Sequence, residues 1–164
     1  MPRVAIFIGS QSDAEKMQPC ADILDELGVG STYTVTSAHR TPERTERLVR
    51  DLEAQGCQVF ICAAGLAAHL AGAVASKTIK PVLGVPLNAS SLGGMDALLA
   101  TVQMPPGYPV GTLALDKVGA RNAAWMAAQI LALQDADLAA SIEEARERMR
   151  HQVEEAAAKH DREA

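Results

Sequence analysis

The sequence predicts an α/β chain, a three-layer αβα sandwich around a central parallel five-stranded sheet, and three observations predict it. Five short apolar runs recur along the chain, stretches with helical periodicity separate them, and glycines stand where the first two of those helices should stop. Strands that alternate with helices pair in parallel and need cover on both faces, which gives three layers. For five such strands the common order is 2-1-3-4-5.

Taken in chain order, the first strand is "VAIFIG" at 4–9. Met17, Cys20, Leu24 and Leu27 then recur at steps of three and four, one apolar stripe on a helix that Gly28 ends. "STYTVTS" at 31–37 is the second strand, followed by Thr41 as N-cap, Pro42 at the first helical position, Leu48 and Leu52 on one face, and Gly56 as the stop. "QVFICAAG" at 58–65, "PVLGVP" at 81–86 and "VGTLAL" at 110–115 supply the remaining strands. Between the last two, "QMPPGYPVG" at 103–111 is a proline-rich turn.

"GARNAAWMAAQILAL" at 119–133 is apolar nearly all round, as expected of a helix buried on more than one side. From about 135 to 159 a long helix carries Leu138, Ile142, Ala145, Met149 and Val153 on one stripe against a dense set of Glu and Arg. That stripe needs a surface to cover, on the same chain or on a neighbouring subunit. The 164 residues are expected to form a single domain, 1–164, with its core at about 3–133.

Charge and cysteine content exclude several function classes. A formal net charge of -5 leaves no electrostatic footprint for nucleic acid or an anionic membrane surface. Cys20, Cys57 and Cys62 are odd in number and sit in apolar runs, so a reduced, cytoplasmic protein without a disulfide framework is expected. The apolar start at 1–9 is far shorter than a membrane span and lacks a cleavage site.

In an open parallel sheet, ligands bind at the carboxyl ends of the strands where the order reverses, which directs attention to the loops after strands 1, 2 and 3. The first, "GSQSDAEKM", puts Ser10, Ser12 and Asp13 at a helix start, where Ser12 or Asp13 caps the helix or the loop cradles a phosphate. It is neither a Walker loop nor a dinucleotide fingerprint. The second, "TVTSAHRTPE", brings Ser37, His39 and Arg40 to a strand end. Arginine offers a fork of donors for phosphate, and histidine exchanges a proton near neutral pH. A cationic pair at a helix start opposes the helix dipole, which counts against a merely structural role. The third, "AAGLAAHLAG", has Gly65 for close backbone approach and His69 near a helix start, as a structural group or a functional one. The histidines lie on separate loops without companion cysteines or a carboxylate cluster, so no metal site is expected.

These segments together carry a resemblance. "GSQSD", "SAHRTP", "AAHLAG", "PVLGVP" and "MDALLATVQMPPGYPVGTLALDKVGARNAA" closely resemble, in the same order, the bacterial N5-carboxyaminoimidazole ribonucleotide mutases of purine biosynthesis, the PurE family. The resemblance runs from about residue 3 to 133.

It implies a flavodoxin-like domain, assembled as a homo-octamer in which C-terminal helices pack on neighbours, and a reaction on a small-molecule nucleotide without metal, ATP or organic cofactor. The carboxylate on the exocyclic amine would move to ring carbon C4 by decarboxylation and recapture of carbon dioxide. By position, His39 matches the family's general acid and base, Arg40 a substrate-binding arginine suited to the 5′-phosphate, and Ser10 and Asp13 two further substrate positions. Ser12, Ser37, Gly65, Ala67 and His69 match loop positions around the nucleotide. The proline-rich loop would add a wall to the pocket, across a subunit boundary.

Two positions depart from the family's "AGGAAHLPG": Leu66 stands where a second glycine is common and Ala71 where a proline is common. A related branch carboxylates aminoimidazole ribonucleotide directly with carbon dioxide and tends to carry lysine after the histidine. Arg40 and "LAAH" favour the mutase. A non-catalytic flavodoxin-like module binding a phosphorylated metabolite is the alternative of a different class.

Overall fold

The computed structural model describes residues 1–163. Five parallel strands, β1 (Val4–Ile8), β2 (Ser31–Val35), β3 (Val59–Gly65), β4 (Val82–Leu87) and β5 (Gly111–Thr112), stand in the order β2-β1-β3-β4-β5. The connecting helices are α1 (Ala14–Glu26), α2 (Pro42–Ala54), α3 (Leu70–Ala75), α4 (Met95–Val102), α5 (Asp116–Ala132) and α6 (Ala136–Glu163). The expected fold class and strand order are both present.

Side chains alternate between the two faces along each central strand, and that alternation builds two cores. Val4, Ile6 and Ile8 of β1 join Val59, Ile61 and Ala63 of β3 beneath α1 and α5. Ala5 and Phe7 join Phe60 and Cys62 on the opposite face, beneath α2 and α3. All five β1 residues are buried, so a continuous apolar run rather than an alternating one marks the strand. Phe7 and Phe60 meet with ring centroids 5.8 Å apart. The cysteines are buried free thiols; burial in apolar surroundings pushes Cys20 up to about 12 and Cys57 up to about 11, and Cys62 also upward.

Gly28 and Gly56 end α1 and α2 in the left-handed region, φ 71° and 98°, as their positions predicted. Three expectations need correction. The fifth strand spans only Gly111–Thr112, which pair with Leu83 and Gly84 of β4 before the chain leaves the sheet toward α5. Thr41 holds the N-cap position of α2 but makes no side-chain cap; its hydroxyl instead donates to the Ser37 carbonyl at 3.2 Å. Residues 95–102, unassigned by periodicity, form α4, whose outer face carries exposed Met95, Leu99 and Val102. An apolar outer face erases the amphipathic stripe by which a surface helix is read.

In α6, Leu138, Ile142 and Ala145 are buried against the chain's own domain. Met149 and Val153 continue the stripe but lie exposed. The first half of this helix therefore covers its own chain, and only the second half remains uncovered.

Candidate active site

The carboxyl ends of β1, β2 and β3 surround a cleft of about 630 Å³. Ser10, Ser12, Asp13, Ser37, His39, Arg40, Gly65, Ala67 and His69 all line it, so the three loops singled out in the sequence converge on one space. The sheet order makes this unavoidable: β1 lies between β2 and β3, and the three strand ends are adjacent. A larger cleft, about 1100 Å³, lies at the amino ends of β4 and β5 and includes Gly107, Tyr108 and Pro109. Within one chain the proline-rich loop thus borders a different space from the histidines. That larger cleft has no histidine in its lining.

Each loop holds its side chains by local bonds. A single 3-10 turn, Gln11–Asp13, links β1 to α1. Its cap is Ser10, whose hydroxyl accepts the Ser12 hydroxyl at 2.9 Å and lies 3.4 Å from the Ser12 amide. The cap predicted for Ser12 or Asp13 therefore belongs to Ser10, and Asp13 at the α1 N-cap position makes no side-chain cap. This leaves the Asp13 carboxylate available to the cleft. Burial raises its pKa above the usual carboxylate value, against a backbone hydrogen bond from Ser10 and the charge of Lys16.

After β2 the chain turns through Ser37–Thr41. The Ser37 hydroxyl accepts the Arg40 amide at 3.1 Å, and Thr41 accepts the Ser37 amide at 3.0 Å. Thr36 and Thr45, both buried, join by their hydroxyls at 2.8 Å and anchor this turn to α2. Ser37 thus shapes the turn, which leaves His39 and Arg40 exposed to the cleft. Among the described residues no carboxylate pairs with the Arg40 guanidinium.

The third loop supplies the decisive contact. His39 Nε2 and His69 Nδ1 lie 2.6 Å apart, with the rings nearly perpendicular at 89°. One of the facing nitrogens must donate and the other accept, and the tautomer decides which. An imidazolium at His39 keeps the bond by donating to a neutral His69. Both rings protonated at once would set two N–H groups against each other. The contact therefore ties together two loops thirty residues apart in sequence through a single N–H between the rings.

Leu66, the departure beside His69, has φ 56° and borders the cleft with its side chain exposed. A leucine there adopts a conformation native to glycine, at a cost of about 1–2 kcal/mol. Gly65 is needed for another reason: a Cβ on it would sit 2.6 Å from the Cβ of Ala89. Ala89, after β4, lines the cleft as well. Sequence reasoning missed it because only the three loops at the strand reversal were inspected. Ala71 lies in the first turn of α3 and is buried. Among the described residues no group of three His, Cys, Asp or Glu side chains comes together to hold a metal ion.

A protein-family model described as AIR carboxylase matches residues 3–152. The N5-carboxyaminoimidazole ribonucleotide mutase of Brucella melitensis is 49% identical over 152 residues, 93% of this chain and 94% of that protein. The chain belongs to the AIR carboxylase family. The mutase of Escherichia coli K12, a relative of the same printed name, is 52% identical over 136 residues, 83% of this chain and 80% of that one. In three dimensions the crystal structure of Treponema denticola PurE aligns with a TM-score of 0.87 at 27% identity, covering 97% of this chain and 98% of the other.

Proposed function

We propose that the chain is an N5-carboxyaminoimidazole ribonucleotide mutase of de novo purine biosynthesis, an intramolecular transferase. Relatives of that name match across most of its length. The observation that carries the mechanism is the 2.6 Å His39–His69 pair set beside an unpartnered arginine in the cleft.

Arg40 and the turn at Ser10–Ser12 take the phosphate, the arginine by its fork of donors and the turn by its amides and hydroxyls. Asp13, desolvated without a close cationic contact of its own, accepts hydrogen bonds from ribose hydroxyls, which return some of the solvation that burial removed. Protonated His39 delivers a proton to the exocyclic nitrogen as the N–C bond to the carboxylate breaks and carbon dioxide is released. Ring carbon C4 then forms its new bond to that carbon dioxide, and neutral His39 removes the C4 proton to restore the aromatic ring. The proton given in the first half returns in the second, so the cycle closes without a net acid or base. His69 is the orienting partner, holding the His39 ring while its charge changes. Gly65, Ala67 and Leu66 form a wall that slows the escape of carbon dioxide into water.

The same reading gives a cytoplasmic homo-octamer. Its support is the uncovered second half of α6, with Met149 and Val153 exposed. Light scattering that finds a monomer would remove the octamer and leave the chemistry standing.

The test compares N5-carboxyaminoimidazole ribonucleotide with aminoimidazole ribonucleotide plus bicarbonate as substrates of the purified chain. Turnover of the first is expected; activity with the second alone would make the chain a direct carboxylase. Tight binding with no turnover of either would make it a non-catalytic module.

A further inference from the structure

We propose that Asp116 is a positioning residue that, together with Lys16, fixes the Asn88–Ala89 wall of the cleft from outside it. Asp116 holds φ 55°, a conformation that glycine adopts freely and aspartate only at a cost, so its side chain must return something. Its Oδ1 accepts the Asn88 amide at 3.0 Å and the Lys16 ammonium at 2.8 Å. Lys16 also donates to the Asn88 carbonyl at 2.6 Å. Both backbone polar groups of Asn88 are thereby held by side chains from α1 and α5, elements on the far side of the loop.

The next residue is Ala89, which lines the cleft against Gly65. Close packing stops Ala89 from moving toward Gly65, and the Asp116–Lys16 clamp stops it from moving away. The width of the cleft at this wall is set by those two limits. A second effect follows from the placement of Lys16, one helical turn beyond Asp13. With its ammonium engaged by Asp116 and Asn88, Lys16 does not close onto the Asp13 carboxylate, whose oxygens remain open to a ligand's donors.

The kinetic half of the test rests on the mutase reading; the structural half does not. Asp116→Gly keeps the left-handed backbone and removes the carboxylate, while Asp116→Asn keeps an acceptor for the Asn88 amide and tolerates the same φ. Amide hydrogen exchange at Asn88 is expected to quicken roughly tenfold or more in Asp116→Gly and to return most of the way in Asp116→Asn. With N5-carboxyaminoimidazole ribonucleotide, KM should rise roughly tenfold in Asp116→Gly with kcat within about twofold, and the thermal midpoint should hold or increase. Asp116→Asn should recover much of the KM. Unchanged exchange at Asn88 overturns the clamp, and so does an unchanged KM in a protein whose wild type turns over. A wild type without turnover sinks the functional reading alone, since the exchange measurement still decides the clamp.

Discussion

Before β2 and β3 the chain leaves its helices through Gly28 and Gly56, where nothing lies within 4 Å of the place a side chain would begin. After β3 and before α5 the left-handed region is held instead by Leu66 and Asp116, the two non-glycine residues with positive φ among the described residues. The amino-end turns need only a backbone reversal, and glycine supplies it at least cost. At the carboxyl end Gly93 and Gly94 do the same after β4, but Leu66 and Asp116 retain a side chain in a costly backbone state, one bordering the cleft and the other bracing its wall. Strain of this kind concentrates where geometry matters to a ligand.

The comparison is broken most severely at His39. His39→Asn should cut kcat by roughly 10²–10⁴-fold, the usual range for a general acid and base, while nucleotide binding measured by calorimetry persists. An active His39→Asn protein would remove the proton-transfer role. Gly65→Ala comes next: its Cβ would meet Ala89 at 2.6 Å and the Leu87 carbonyl at 3.0 Å. Overpacking of this size should lower stability by about 1–3 kcal/mol in denaturant titration and raise KM as well.

Two turn substitutions test the contrast directly. Gly28→Ala should lower stability by about 1 kcal/mol through its left-handed φ alone, with kcat/KM unchanged. Leu66→Gly should leave stability within about 0.5 kcal/mol of wild type, because relief of strain is offset by glycine's greater freedom in the unfolded chain, yet it should alter KM. If Gly28→Ala changed KM as much as Leu66→Gly, the division between the two ends of the sheet would fail.

The smallest effect belongs to Asp13. Its folded-state pKa is raised by burial, so its contribution to stability is fully present below the unfolded carboxylate pKa and is lost as pH rises through the folded one. Asp13→Asn should therefore be modestly more stable than wild type at neutral pH, with the difference closing on acidification through the carboxylate range. Thermal melts across that range check the sign. The same change should weaken nucleotide binding.

Much of the fold was legible because its signals are local: β-branched apolar runs, stripes at steps of three and four, and stops at Gly28 and Gly56. The fifth strand was overextended, since "VGTLAL" has the composition of a strand throughout but only Gly111 and Thr112 pair with β4. Helix α4 was not assigned because Met95, Leu99 and Val102 leave it without a polar outer face. In the site, loop composition was enough to indicate Ser10, Asp13, His39, Arg40 and Gly65 as candidates, because they follow strand ends. It could not choose between structural and functional readings of His69, since that depends on a 2.6 Å contact with His39. The bonds from Lys16 to Asn88 and Asp116 span 72 and 100 residues and leave no trace in local pattern.

The three buried thiols give the molecule an internal record of its own opening. Cys20 sits on the inner face of α1, in the core that α1 and α5 share with the sheet, whereas Cys57 and Cys62 lie in the opposite core. With thiolate formation suppressed by burial, none should react with an alkylating reagent until its covering layer lifts. Timed labelling followed by peptide mapping would then tell whether the two faces of the sheet come apart together or in succession, with no foreign probe introduced.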